Sequence, residues 1–217
     1  MLRRAHEASI CDRLVVATEA REVARVVEAA GYEAVLTSEA PESGTERVAE
    51  VAANKDFKSF DLMLNIQGDE PLLSLDAMRG ALARVRGGDA IGTAAGTLEP
   101  AHAADPNRVK VVLGPLGRAV YFSRAPIPFD RDAQGGVRYH QHVGVYAFTR
   151  EALERWVGLP VVAEERWERL EQLRPLLHGI PLGVALVGEP AAPGVDTPAD
   201  LRYVEGVLRH QLREVSP

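Results

Sequence analysis

The sequence has little of what disulfide-bonded, membrane-spanning or nucleic-acid-binding proteins require. Cys11 is the single cysteine among 217 residues, so no internal disulfide can form, which fits a reducing cytosol. No apolar run approaches the roughly 20 residues that a helix needs to cross a bilayer. The formal net charge is −6, whereas a protein that wraps nucleic-acid backbone needs a basic surface. These shortages argue against three broad classes of function.

Apolar residues, in contrast, are plentiful enough for a folded protein. They make up 46% of the chain, and 217 residues suffice for one domain with a substantial core. No internal repeat or long linker divides the sequence, so we predict one domain over residues 1–217. The acidic charge still permits a nucleotide substrate, because magnesium can screen a triphosphate from carboxylates.

Short apolar runs alternate with helical patterns along most of the chain. The predicted strands span residues 13–18, 33–36, 61–66, 90–98, 141–148 and 182–187. The predicted helices include residues 21–30, 43–54, 74–85 and 166–178, and Thr197-Pro198 begins a closing helix. A hairpin around residues 114–117 and a proline-rich loop after it form a predicted lid insertion. The alternation predicts an α/β fold with a mainly parallel sheet covered on both faces.

The segment Asp61–Pro71 has the most informative pattern. Its apolar run ends at Gln67-Gly68, and the carboxylates of Asp69 and Glu70 follow at once. Ligands of open α/β sheets bind outside the carboxyl ends of the strands. An acid at this position is therefore suited to a metal-bound phosphate, and the alternative is a polar turn whose acid caps the next helix.

A second acid, Asp196, occupies a similar junction between a strand and a helix, in Gly194-Val-Asp-Thr-Pro198. Magnesium takes one or two carboxylates and fills its other positions with water and phosphate oxygens. We therefore predict that Asp69 and Asp196 converge on one Mg²⁺. Asp196 and Thr197 could instead cap the last helix, but a cap formed by Thr197 leaves Asp196 available to the metal.

Four further groups of polar residues carry weaker patterns. Ser43-Gly-Thr-Glu-Arg47 matches a capping box, which is structural more often than functional, although its polar groups could read the edge of a base. The strand that ends at Arg124 offers a guanidinium for a carboxylate. His142 and Tyr146 are four residues apart in a predicted strand, so both side chains face one side. Glu171 and Gln172 fall in the predicted helix 166–178, where charged residues are surface pairs by default.

Taken together, these residues resemble the 3-deoxy-manno-octulosonate cytidylyltransferase (CMP-Kdo synthetase) family. The resemblance runs from about Arg13 to the C-terminus and rests on eight segments in the family's order. The segments are Val16-Ala-Thr18, Ser43-Gly-Thr-Glu-Arg47, Asn65-Ile-Gln-Gly-Asp-Glu-Pro71, Asn107-Arg-Val-Lys-Val-Val112, Tyr121-Phe-Ser-Arg124, His142-Val-Gly-Val-Tyr146, Leu170-Glu-Gln-Leu-Arg174 and Gly194-Val-Asp-Thr-Pro198.

The resemblance implies a nucleotide-diphospho-sugar-transferase-like fold, a homodimer, and a cytoplasmic enzyme of lipopolysaccharide biosynthesis. The implied reaction joins CTP and 3-deoxy-D-manno-octulosonate (Kdo) to give CMP-Kdo and pyrophosphate. By motif, Mg²⁺ is assigned to Asp69 and Asp196. The cytidine part is assigned to Ser43, Gly44, Thr45, Arg47 and Gln67. Kdo is assigned to Arg124, His142, Tyr146, Glu171 and Gln172.

One departure from the family concerns the N-terminus. Family members begin with a strand, then a basic loop that clamps the triphosphate, then a helix, which together amount to roughly thirty residues. Here residues 2–8 resemble only the tail of that helix. We therefore expect the natural protein to begin upstream of Met1. The alternatives are an enzyme for another acidic sugar, or an inactive remnant that only binds nucleotide.

Overall fold

A computed structural model describes residues 2–7, 9–190, 192, 194–195 and 197–214, with the backbone alone at residues 189 and 211–214. The strands among these residues are β1 (Val15–Thr18), β2 (Glu33–Leu36), β3 (Leu62–Ile66), β4 (Ile91–Leu98), β5 (Lys110–Leu113), β6 (Ala119–Ser123), β7 (Tyr139–Thr149) and β8 (Leu182–Pro190). The α-helices are α1 (Leu2–Glu7), α2 (Arg21–Ala29), α3 (Gly44–Ala53), α4 (Leu75–Arg86), α5 (Arg150–Val157), α6 (Ala163–Glu168), α7 (Leu173–Leu177) and α8 (Pro198–Glu214). None of these helices is long and apolar enough to cross a membrane.

Hydroxyl side chains begin several helices, among them α3, where the sequence predicts a capping box at Ser43. Ser43 accepts a hydrogen bond from the backbone N–H of Glu46 at 3.2 Å, and Ser74 and Thr149 cap α4 and α5 in the same way. At α8, the backbone N–H and hydroxyl of Thr197 donate to the Asp200 carboxylate at 2.8 and 2.7 Å. Each cap satisfies backbone donors that the first helical turn leaves unpaired.

The strands form two sheets. β1 and β2 are a parallel pair, while the other six strands form a sheet of order β6-β5-β7-β4-β8, with β3 also beside β7. The α/β class is confirmed, but the larger sheet is mixed instead of mainly parallel. β7 runs antiparallel to β3, β4 and β5, whereas β4 and β8 are parallel. β7 follows the β5–β6 hairpin without the helical crossover that a parallel strand requires.

The large sheet has a hydrophobic cluster on each face. Alternate residues of β7 contribute to the two clusters: Tyr146 and Phe148 to the first, Val145 and Ala147 to the second, beneath α4. In the first cluster, the ring of Trp156 packs edge-on against Tyr146 and Phe148, with centroids 5.7 and 5.4 Å apart. This packing fixes the direction in which every side chain of β7 points.

A cavity of about 450 Å³ separates the two sheets. Its walls are mostly apolar and include Val16 of β1, Leu64 of β3 and Val51 of α3. Among the described strands, β1 pairs only with β2 and β3 pairs only with β7, so each has one edge without a neighbour. Our expectation of a strand upstream of Met1 stays a prediction.

The predicted single helix over residues 166–178 is wrong. Two short helices, α6 and α7, replace it, and between them Arg169 adopts a left-handed conformation with φ 52° and ψ 51°. A left-handed residue ends a helix, and Pro175 in α7 could not lie inside a longer helix without clashing with the carbonyl of Glu171. Glu171 and Gln172 therefore lie in a turn, not on an exposed helical face.

Candidate active site at the carboxyl end of β3

The turn after β3 is attached to the middle of β7. The backbone N–H of Gln67 donates to the carbonyl of Gly144 at 3.2 Å, and the backbone N–H of Gly144 donates to Oε1 of Glu70 at 3.3 Å. A Cβ atom at Gly144 would lie 2.9 Å from Glu70 Oε1, so any other residue there would force the Glu70 side chain to shift. The turn is thus held in place while the side chain of Asp69 remains exposed.

The segment before α8 approaches the same turn. The backbone N–H of Val195 donates to the carbonyl oxygen of Asp69 at 2.8 Å, and a Cβ atom at Gly194 would lie 3.5 Å from that oxygen. Asp196, the predicted partner of Asp69, lies outside the described residues. No group of three or more potential metal ligands occurs in the described part of the chain, and the predicted pair of carboxylates stays a prediction.

The predicted nucleotide segment lies beside the same turn. A Cβ atom at Gly44 would lie 3.0 Å from Nε2 and 3.1 Å from Oε1 of Gln67, so the start of α3 and the end of β3 are in contact. Arg47 reaches away from them: its guanidinium pairs with Glu19 at 2.7 Å and donates to the Thr37 hydroxyl at 2.5 Å. The structure therefore brings Gln67 and Gly44 together and directs Arg47 toward the smaller sheet.

A buried hydrogen bond joins this segment to the predicted sugar side. Thr45 is fully buried, and its hydroxyl donates to Oε1 of Glu171 at 2.9 Å. Burial raises the pKa of Glu171, while hydrogen bonds from Ser43 and Thr45 and the charge of Arg174 act to lower it. The second oxygen, Oε2, is buried and has no hydrogen-bond partner among the described residues. An unpaired buried carboxylate oxygen is costly unless a ligand donates to it.

Aromatic rings surround the next group of predicted residues. His142 and Tyr146 do share one face of β7, with ring centroids 5.3 Å apart, and Phe122 packs edge-on against His142 at 5.1 Å. Burial lowers the pKa of His142 to about 3, so its imidazole is neutral at pH 7. Burial, followed by the charges of Glu171 and Glu70, raises the pKa of Tyr146. Gln172, which directly follows Glu171 in the sequence, is also buried.

Backbone carbonyls fix the guanidinium of Arg124. Its Nε, Nη1 and Nη2 atoms donate to the carbonyl oxygens of Glu168 at 2.6 Å, Pro106 at 2.7 Å and Arg169 at 3.3 Å. Three of the five N–H groups of an arginine are thereby used, which leaves two for a ligand. The left-handed turn at Arg169, which sequence patterns did not predict, supplies one of these carbonyls.

Sequence reasoning missed the residues that support this arrangement. Lys110 is fully buried, and its ammonium donates to the carbonyl oxygens of Arg124 and Asp105 at 2.5 and 2.9 Å. The Glu168 carboxylate accepts from the Ser123 hydroxyl at 2.6 Å and the Arg124 backbone N–H at 2.8 Å. The sequence does place a lysine within the apolar run Val109–Leu113. This position could have indicated a buried lysine with hydrogen-bond partners, since buried lysines need partners.

Comparison with known proteins gives consistent matches. The family model described as Cytidylyltransferase matches residues 1–182. A 3-deoxy-manno-octulosonate cytidylyltransferase of Gemmatimonas aurantiaca is 47% identical over 204 residues, covering 92% of this chain and 79% of its own. The solved structure of CMP:2-keto-3-deoxy-manno-octonic acid synthetase complexed with CTP matches with a TM-score of 0.88 at 36% identity, covering 97% of this chain and 86% of its own.

A more distant solved structure shares the fold alone. It is a putative glucose-1-phosphate thymidylyltransferase from Bacillus anthracis, with a TM-score of 0.61 at 13% identity over 95% of this chain and 79% of its own. The expected nucleotide-diphospho-sugar-transferase-like fold is therefore confirmed.

Proposed function

The chain belongs to the 3-deoxy-manno-octulosonate cytidylyltransferase family, and we propose that it converts CTP and Kdo to CMP-Kdo and pyrophosphate. One observation carries the proposal: residues assigned to the two substrates form a single connected site. Thr45, on the nucleotide side, donates to Glu171, on the sugar side, at 2.9 Å. Both substrates would therefore be held next to each other at the carboxyl end of β3.

The chemistry depends on positioning. The anomeric hydroxyl of the sugar attacks the α-phosphorus of CTP in line with the departing pyrophosphate, and such a transfer needs orientation and charge neutralisation more than a protein nucleophile. Gln67 and the start of α3, which lie in contact, orient the cytidine part. The turn that bears Asp69 is attached to β7 through the hydrogen bond from Gly144 to Glu70.

Asp69 and Asp196 are the residues that would hold Mg²⁺. The chemistry of the donors fits the ion, because magnesium prefers carboxylate oxygens and keeps its remaining positions for water and phosphate. Asp69 is exposed, and the backbone next to Asp196 is joined to Asp69 by the hydrogen bond from Val195. Bound magnesium would neutralise phosphate charge and lower the pKa of the attacking hydroxyl.

The sugar side combines charge with hydrogen-bond acceptors. Arg124 is the natural partner for the Kdo carboxylate, using the two N–H groups that the three carbonyls leave over. Oε2 of Glu171, which has no hydrogen-bond partner among the described residues, would accept from a sugar hydroxyl. We place the enzyme in the cytoplasm as a homodimer, where CMP-Kdo would serve lipopolysaccharide biosynthesis.

Release of pyrophosphate tests this function. Purified protein is incubated with Mg²⁺ and CTP in separate reactions that contain Kdo, a sialic acid or no sugar. Any CMP-Kdo that forms is identified by its mass. We expect pyrophosphate and CMP-Kdo only with Kdo. Release with the sialic acid alone would contradict the proposed sugar. CTP binding without turnover would show that this chain is a nucleotide-binding remnant.

A further inference from the structure

Thr93 lies at an irregularity in the middle of the large sheet. It pairs with Tyr146, yet the next residue, Ala94, pairs with Val143, so the register of β4 against β7 shifts between them. The shift falls beside Gly144, the residue that holds the Asp69 turn. Thr93 itself is fully buried, and no motif of the sequence assigns it a role.

The Thr93 hydroxyl has two hydrogen-bond partners, and it must donate to one and accept from the other. Oγ1 lies 2.7 Å from the carbonyl oxygen of Val145 and 2.9 Å from Nε2 of His142. A carbonyl oxygen can only accept, so the single hydroxyl proton must point to Val145. The hydroxyl oxygen is then an acceptor for His142, and the hydrogen of that contact must lie on Nε2.

The other ring nitrogen of His142 is consequently an acceptor. A neutral imidazole carries one N–H, and if this is on Nε2 then Nδ1 has a free lone pair. Within the described part of the chain, no hydrogen bond is made to Nδ1. Phe122 and Tyr146 pack against the ring, which prevents it from turning freely to exchange its nitrogens.

We propose that Thr93 is a positioning residue: its hydroxyl locks His142 as the Nε2–H tautomer, so that Nδ1 accepts a hydrogen bond from a hydroxyl of the sugar. The tautomer follows from the contacts of Thr93 alone, whereas the identity of the donor rests on the proposed function. A site built to accept from a hydroxyl discriminates strongly against a substrate that lacks it.

Two substitutions separate this role from packing. Thr93→Val keeps the shape and removes the hydroxyl, and Thr93→Ser keeps the hydroxyl as the matched control. Protein with ¹⁵N-labelled imidazole rings is studied by two-bond ¹H–¹⁵N correlation NMR, with His142→Gln identifying the signals of His142 among the six histidines. Steady-state kinetics gives the KM for Kdo and for CTP separately.

We expect His142 to be the Nε2–H tautomer in the unmodified protein and in Thr93→Ser, and to contain the Nδ1–H form in Thr93→Val. The KM for Kdo should rise roughly tenfold in Thr93→Val, as for one lost hydrogen bond, with the KM for CTP unchanged. An Nδ1–H tautomer in the unmodified protein would overturn the proposal even if Thr93→Val did not fold. If His142 is the Nε2–H tautomer but the protein does not use Kdo, the proposed function is refuted, whereas the effect of Thr93 on the His142 tautomer still holds.

Discussion

Single side chains set the charge pattern of this site. His142 is kept neutral by burial, with its pKa lowered to about 3, and Glu171, whose pKa burial raises, lies close enough to raise the pKa of Tyr146. Neutral acceptors and a partly compensated carboxylate suit the hydroxyl-rich body of a sugar, and Arg124 supplies the positive charge. In the proposed function, the Kdo carboxylate would pair with this cation and the sugar hydroxyls would donate to these acceptors.

The low pKa of His142 predicts how stability depends on pH. Its folded pKa of about 3 lies below the unfolded value of about 6.5, so between these values the unfolded chain binds more protons. Stability is therefore lost as pH falls below about 6.5, at about 1.4 kcal/mol per pH unit for one such group. From pH 6.5 to 5, the unfolding free energy should fall by about 2 kcal/mol more than in His142→Gln, measured by urea unfolding.

His142→Gln is the reference because glutamine does not titrate, so other ionisable groups contribute equally to both proteins. If the unfolding free energies of the unmodified protein and of His142→Gln differ by the same amount at pH 6.5 and pH 5, His142 is protonated as readily in the folded protein as in the unfolded chain.

Short helices, and the turns between them, bring the two halves of the site together. Arg174 of α7 is buried and pairs with Glu165 of α6 at 2.7 Å and with Glu46 of α3 at 3.2 Å. Glu46 is the acidic member of the capping box at Ser43, so the start of the nucleotide segment is tied to the turn that presents Glu171.

Removing Arg174 should therefore destabilise the protein. Arg174→Met leaves the carboxylates of Glu165 and Glu46 without their cation, and loss of one partner from a buried pair typically costs about 3 kcal/mol. Arg209→Met is the control. Arg209 pairs with Glu205 of α8 at 3.2 Å, and both side chains are exposed; such exposed pairs contribute less than about 1 kcal/mol. Urea unfolding should show the large loss in Arg174→Met alone, and equal losses would contradict the structural role.

The link between α3 and Glu171 makes a separate prediction. Thr45→Val removes the hydroxyl that donates to Glu171, which leaves a buried carboxylate oxygen with fewer donors and costs about 1–3 kcal/mol. Because Thr45 joins the two sides, the KM should rise for both CTP and Kdo. Thr45→Ser retains the hydroxyl and should behave as the unmodified protein does. A rise in one KM alone would show that the two sides bind independently.

Local patterns in the sequence predicted much of this arrangement, and the failures have physical causes. The caps at Ser43, Ser74 and Thr149 are local interactions, and the shared face of His142 and Tyr146 follows from strand geometry, so both were predictable. The break at Arg169 was missed because charged residues around it favour a helix, although Pro175 was a visible obstacle. Thr93 and Lys110 were missed because their partners, Val145 and Arg124, become neighbours only through strand pairing.

The two sheets of the chain are separated by the cavity of about 450 Å³. One further strand would cover its apolar walls and the edges of β1 and β3 that have no neighbour among the described strands. We expect that a chain extended before Met1 by one strand, followed by a basic loop for the triphosphate, fills this space. The extended chain should unfold at a higher urea concentration and turn over faster. Identical unfolding midpoints and rates would show that the cavity is not a strand site.

In the proposed function, Asp69 acts at a single site where CTP and Kdo react. Kdo-dependent release of pyrophosphate is measured for the unmodified protein, Asp69→Asn and Asp61→Asn. Asp61→Asn is the control, because Asp61 is an exposed acid immediately before β3, at its opposite end. We expect a rate lower by about 100-fold or more in Asp69→Asn, the order of loss seen when one electrostatic contact to a reacting group is removed, and an unchanged rate in Asp61→Asn. Full activity in Asp69→Asn would contradict this role of Asp69.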